Sequence, residues 1–247
     1  MGQTIEIEAP GGTAQAYLTT PGTDEYPGVL LYMDAIGLRQ RIEEMADRIA
    51  SWGYVVLAPN VFYRDGRAAE LAPAGDLTIP EKREEFFAGG VMDRVQGLTP
   101  DLSGPDAEVW LETLRQHATG PFGVLGYCMG ARLAVRTAAQ FPDDVAACGG
   151  FHGGGLVTDA PDSPHRLVGD ARAELVFGHA DQDRSMPAEA VAALGEALDA
   201  AGLAHTNEIY PGAAHGYSMA DTSMYDEAAT ERHFSELEAL FARTLRG

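Results

Sequence analysis

The chain has 247 residues, 45% of them hydrophobic and 22% charged, enough for one large α/β domain or two small ones with a substantial core. Its formal charge of −20 excludes nucleic acid and anionic membrane surfaces as expected partners, because the summed field repels polyanions. Two cysteines, Cys128 and Cys148, are too few for a disulfide scaffold, and the sequence shows no secretory signal and no apolar run of membrane-spanning length, so a cytoplasmic protein is expected.

Residues 4–8 and 14–19 alternate apolar and polar side chains across Pro10-Gly11-Gly12, which predicts an opening antiparallel hairpin. Residues 28–33 form a continuous apolar run of the kind buried on both faces of a sheet, ending at the loop Asp34-Ala35-Ile36-Gly37. A helix with Ile42, Met45, Ile49 and Trp52 on one face follows, closed by Gly53, and residues 54–59 form another buried strand. This β–α–β order implies a parallel sheet.

Residues 61–105 break that rhythm. They carry Arg64, Arg67, Lys82, Arg83 and Arg94, the pair Phe86-Phe87 and scattered Gly and Pro, over a span long for a simple connection. Two readings stand side by side: short helices forming a lid over the active-site end of the sheet, or a solvated crossover helix with no ligand role.

A helix is expected at 106–117, a short buried strand at 121–125 and a helix at 131–139, with Gly126-Tyr127-Cys128-Met129-Gly130 between the last two. Residues 145–151 read as a strand ending in His152-Gly153-Gly154-Gly155, and 174–178 as the next. A helix over 188–201 lies between Pro187 and Gly202, matching the Pro-first, Gly-last asymmetry. A final strand at 205–210 and a terminal helix with Phe234, Leu237, Phe241 and Leu245 facing inward complete one domain, 1–247: α/β, a mostly parallel central sheet flanked by helices, with the 61–105 insertion.

A Gly-x-Cys-x-Gly between strand and helix fits a nucleophile elbow, whose glycines let strand and helix approach closely around a strained turn. Cys128 then projects at a helix N-terminus, where the amides and the helix dipole favour a thiolate. The plainer reading of Cys128 is a small core hydrophobe. A thiol nucleophile needs a base, and the base an orienting carboxylate; in α/β-hydrolases they follow in the order nucleophile, acid, histidine, each on a loop after a strand. His215, directly after the last strand, is the base. Asp181 and Asp183 compete for the acid, with Asp183 preferred for its place four residues before Pro187. The oxyanion donors are the backbone N–H groups of Ala35 and Met129. Tyr127 and His152 are pocket candidates, and His152-Gly153-Gly154-Gly155 resembles a lipase oxyanion motif but falls after the nucleophile rather than before it.

Along nearly its whole length the sequence resembles the dienelactone hydrolase family of cysteine α/β-hydrolases. The resemblance rests on Gly126-Tyr127-Cys128-Met129-Gly130, on Gln182-Asp183 followed by Pro187, on Tyr210-Pro211-Gly212-Ala213-Ala214-His215-Gly216 and on Asp34-Ala35-Ile36-Gly37. It implies a Cys128–Asp183–His215 triad, no metal and no organic cofactor. The family places a glutamate after the early strand to pair with the resting thiol; here the carboxylate is Asp34, one methylene shorter. Dienelactone-processing members also carry an arginine shortly after the triad histidine to grip the substrate carboxylate, where this sequence has Met219, a third pocket candidate.

The expected function is hydrolysis of a small ester or lactone through an acyl-thioester, by a monomer or a homodimer. The alternatives are a thioesterase or acyltransferase using the same triad, and a non-catalytic ligand-binding or redox-sensing module.

Overall fold

A computed structural model describes residues 2–246. The opening hairpin forms as its alternation requires: β1 (Gln3–Ala9) pairs antiparallel with β2 (Gly12–Thr19), Ile5 opposite Ala16. The apolar run that follows is β3 (Pro27–Tyr32). Helix α1 (Gln40–Ser51) buries Ile42, Met45 and Ile49, and its chain leaves through Gly53 at φ +93°, a conformation only glycine adopts without strain. Strand β4 (Val55–Pro59) then pairs parallel with β3 and antiparallel with β2.

The 61–105 stretch folds into α2 (Ala68–Leu71), α3 (Pro80–Phe86), a π-turn at Phe87–Val91 and α4 (Met92–Gly97). The helix expected from residue 106 begins earlier, as α5 (Pro100–Arg115), with Pro105 inside it. Pro100 supplies the preset φ of a first helical residue, and the Leu102 and Ser103 amides bond back to the Thr99 carbonyl. Pro105 therefore joins a turn already nucleated; it forfeits one hydrogen bond without ending the helix.

Strand β5 (Thr119–Tyr127) runs into α6 (Met129–Gln140), and β6 (Val145–Phe151) follows. A short α7 (Pro164–Leu167) precedes β7 (Glu174–Ala180), α8 (Ala188–Ala201), β8 (His205–Tyr210) and α9 (Glu227–Thr244). The eight strands lie in the order β1-β2-β4-β3-β5-β6-β7-β8, parallel from β4 onward. Strands β3, β4 and β6 are buried almost throughout, and β5 from Phe122 onward, which explains their lack of polar alternation. Helix α9 packs Phe234, Leu237 and Phe241 into the core, and its first turn is capped by Asp226, which accepts the Ala229 N–H at 3.0 Å.

The consequence for chemistry is geometric. The parallel strands β3, β5, β6, β7 and β8 share a direction, so the loops leaving their C-terminal ends gather at one edge of the sheet.

Candidate active site

Strand β5 delivers the chain to Cys128, where the backbone turns sharply at φ 54°, ψ −118° before α6 starts at Met129. A non-glycine residue held there stores on the order of 1–3 kcal/mol of strain, so the surroundings must enforce it. They do so through close backbone approach: a Cβ on Gly126 would lie 2.0 Å from the Gly130 carbonyl oxygen, and one on Gly130 would lie 2.6 Å from the carbonyl oxygens of Tyr32 and Met33. Both glycines of the pentapeptide are sterically required, and the turn leaves the Cys128 side chain half-buried at the N-terminus of α6.

The loops after β7 and β8 bring two more side chains to the same point. His215 Nε2 stands 3.0 Å from Cys128 Sγ, and its Nδ1 lies 2.5 Å from Asp183 Oδ2. Asp183 is buried, and its other oxygen accepts the Ser185 N–H at 2.8 Å and the Ser185 hydroxyl at 2.7 Å. Asp181 turns away, accepting the Gly212 N–H at 2.9 Å. Of the two competing carboxylates, Asp183 is the one that reaches His215.

The electrostatics follow from this chain of contacts. Burial disfavours a charged imidazole, but the sulfur at Nε2 and the carboxylate at Nδ1 outweigh it, and His215 is pushed up to about 10. Burial alone would raise Asp183; its bond to His215 and the two donors from Ser185 reverse that and hold it below the usual carboxylate range.

Cys128 opens onto a cavity of about 450 Å³. Ala35, Phe87, Met92 and Val95 give it an apolar lining, and Arg83, Arg132 and Arg184 bring positive charge to its wall. Ala35 and Met129 both border it. Among the described residues no acceptor is found for the Ala35 N–H, and the Met129 amide is the first of α6, which has no intrahelical partner. Ala35 and Met129 thus bring two N–H groups without a backbone acceptor among the described residues to the lining of the cavity that Cys128 shares.

The remaining basic residues of 61–105 are engaged elsewhere. Arg64 is clamped on buried Asp106, Arg67 on Glu6 and Lys82 on Glu85, while Arg94 lies over the Phe62 ring. Arg83 reaches the cavity with Phe87, Met92 and Val95, so the α3–α4 stretch forms one of its walls.

Other sequence candidates fall differently. Asp34, expected opposite the thiol, makes no hydrogen bond to it. Its carboxylate instead accepts the Ile36 N–H at 3.1 Å and the Arg39 guanidinium at 2.7 and 3.2 Å. A bidentate arginine is the stronger partner, and the short aspartate side chain stays with it. His152 and Met219 border a second, small cavity next to Cys128. His152 is fully buried at φ 37°, bonded through Nε2 to the Ser218 hydroxyl at 2.7 Å, and burial together with nearby His215 keeps it neutral. Tyr127 does not face either of these cavities; it is fully buried, with its hydroxyl 3.2 Å from His233 Nε2 and its ring against Phe151.

Three participants carry no motif in the sequence reading: Ser185, Arg132 and Arg39. Ser185 could have been found from the Asp-x-Ser spacing, which favours a local side-chain-to-backbone turn. Arg132 stands four residues after Cys128, hence on the same helical face, a periodicity signal available from the sequence. Arg39 pairs with Asp34 only five residues before it, but its second carboxylate, Asp221, lies 182 positions away and leaves no local trace.

Among the described residues no three His, Cys, Asp or Glu side chains are grouped as a metal site. No helix among them is long and apolar enough to cross a membrane.

A family model described as "Dienelactone hydrolase family" matches residues 14–245. The chain is 25% identical over 96% of its length to a Salmonella typhi protein named "Putative carboxymethylenebutenolidase", covering 85% of that protein. A Synechocystis protein of the same name is 26% identical, with 93% of this chain and 92% of that one covered. Among solved structures, one titled as a "Putative Dienelactone Hydrolase" from Klebsiella pneumoniae superposes with a TM-score of 0.80 at 22% identity, over 98% of both chains, a likeness of fold.

Proposed function

The chain belongs to the dienelactone hydrolase family and is a hydrolase acting on a carboxylic ester or lactone, a premise from which we propose that Cys128, His215 and Asp183 carry the reaction through an acyl-thioester. The single observation behind this reading is the unbroken relay Asp183 Oδ2–His215 Nδ1, His215 Nε2–Cys128 Sγ, at 2.5 and 3.0 Å. His215 takes the Cys128 proton, and Asp183 holds the imidazole in the tautomer that presents Nε2 to sulfur and stabilises the imidazolium. The thiolate attacks the substrate carbonyl carbon. Negative charge gathers on the carbonyl oxygen, which the N–H groups of Ala35 and Met129 receive; one such donor is worth about 10²–10³ in rate.

Collapse of the tetrahedral intermediate breaks the C–O bond, and the leaving alkoxide takes the proton from His215. In a lactone the alkoxide stays tethered to the acyl group. A water, deprotonated by His215, then attacks the thioester carbonyl, and sulfur leaves as the thiolate. The products are an acid and an alcohol, or one hydroxy acid.

For substrate class, the apolar wall of Phe87, Met92 and Val95 suits a small hydrocarbon framework, with the α3–α4 stretch acting as a lid over it. Met219 leaves no guanidinium at the place where dienelactone-processing members have one, so Arg83, Arg132 and Arg184 are the cations an anionic substituent would meet. The test is a panel of esters and lactones, a dienelactone included, with Cys128→Ala alongside. Turnover that vanishes in the variant supports the reading; turnover that survives in Cys128→Ala overturns it.

A further inference from the structure

The loop Asp34-Ala35-Ile36-Gly37 and the loop carrying His215 come from distant parts of the chain, yet one buried side chain joins them. Arg39 donates Nη1 to Asp34 Oδ1 at 2.7 Å and to the Gly37 carbonyl at 3.0 Å. Its Nη2 reaches Asp34 Oδ2 at 3.2 Å and Asp221 Oδ1 at 3.1 Å, and its Nε reaches Asp221 Oδ2 at 2.6 Å. All five N–H groups of the guanidinium are therefore engaged, with 9% of the side chain exposed and 5% of Asp34. Asp221 lies six residues after His215 on the same excursion between β8 and α9.

We propose that Arg39 is a positioning residue for this hydrolase: by clamping Asp34 to Asp221 it fixes the Ala35 N–H relative to His215, and so sets the oxyanion donor against the base. The proposal rests on the catalytic reading above, because it needs an oxyanion to form between these loops. A loop of four residues, with only the Ile36 and Gly37 amides bonded back within it, has little of its own to hold the Ala35 N–H within the few tenths of an ångström that transition-state stabilisation needs. Arg39 supplies the fixation from both sides. The Asp34 bond to the Ile36 amide shapes the turn, the Gly37 carbonyl closes it, and Asp221 ties it across to the histidine loop.

The test compares a p-nitrophenyl ester with its thionoester, in which sulfur replaces the carbonyl oxygen and fits an oxyanion site poorly. Wild type should strongly prefer the ester. In Arg39→Met, ester kcat should fall about 10- to 100-fold, with the thionoester much less affected, so that the preference shrinks at least about tenfold. Asp221→Asn breaks half of the clamp on its more exposed side and serves where Arg39→Met does not fold; it should move the preference in the same direction by less. Arg39→Lys, which keeps the charge without the fork, should fall between them.

Equal losses on both substrates would assign Arg39 a purely structural role and overturn the proposal, as would an unchanged preference in folded variants. Failure of the catalytic reading looks different: Cys128 would then form no adduct with either substrate in wild type.

Discussion

His215 Nε2 stands 3.0 Å from Cys128 Sγ although 87 residues separate the two in the chain, and the other ring nitrogen is already committed to Asp183. An imidazole held at both nitrogens has one orientation and one useful tautomer, which is what a base for a thiol needs.

Cys128→Ala and His215→Asn should each lower kcat/KM for any turned-over ester by about 10³-fold or more, and the double variant should lose little beyond either single one, since the two act as a unit. Steady-state kinetics on the three proteins checks this; additive losses in the double variant would separate the two residues.

The two neighbouring aspartates should behave differently. Asp183→Asn removes the acceptor for His215 Nδ1 and should cost about 10²–10⁴ in kcat. Asp181→Asn loosens a bond to the Gly212 amide and should leave kcat within about threefold. The same panel of rates measures both.

Stability should depend on pH through His215. Its value is raised from 6.5 to about 10 in the folded chain, so its stabilising contribution is complete below pH 6.5 and declines as pH rises through 10. Asp183 has the opposite sign: its value is lowered, so its contribution is present above about pH 3.8 and is lost as pH falls through the folded value. Melting temperatures of wild type and His215→Asn should therefore converge between pH 6.5 and 10; a gap independent of pH over that window contradicts the coupling.

Arg132 lines the cavity, donates Nη2 to the Val95 carbonyl of α4 at 2.6 Å, and forms no ion pair with a carboxylate among the described residues. Burial lowers its proton affinity, and the neighbouring Cys128 restores part of it. Arg132→Gln should raise KM about tenfold for an ester carrying a carboxylate on its acyl side, and raise it less for the neutral analogue. Matched KM measurements on the two esters decide it.

Gly126→Ala should abolish folding or cost about 3 kcal/mol or more, because the added methyl would sit 2.0 Å from a backbone oxygen that no side-chain motion can relieve. Denaturant unfolding, or the absence of soluble protein, reports the outcome.

Much of the fold was legible in the sequence because its signals are local. The apolar runs of β3, β4 and β5, the Pro187–Gly202 frame of α8 and the Gly-x-Cys-x-Gly turn each follow from adjacent residues. The start of α5 was not legible, since Pro105 reads as a breaker unless the preceding turn is known to have formed. At the site, the order of Cys128, Asp183 and His215 survives as chain order, whereas the partner of Asp34 does not. That side chain was expected at the thiol, and it was Arg39, five residues on and linked across to Asp221, that claimed it. Tyr127 failed as a pocket residue for a simple reason of direction: in a strand its side chain alternates away from that of its neighbour, and here it points into the core against His233.

The most direct test of the central claim is intact-protein mass spectrometry under rapid acid quench during turnover of an ester from the panel. A mass increase equal to the acyl group, mapped to Cys128, removed by hydroxylamine and absent in Cys128→Ala, is the predicted result. Turnover with no adduct on Cys128 at any quench time, together with an adduct on another residue or undiminished hydrolysis by Cys128→Ala, would contradict it.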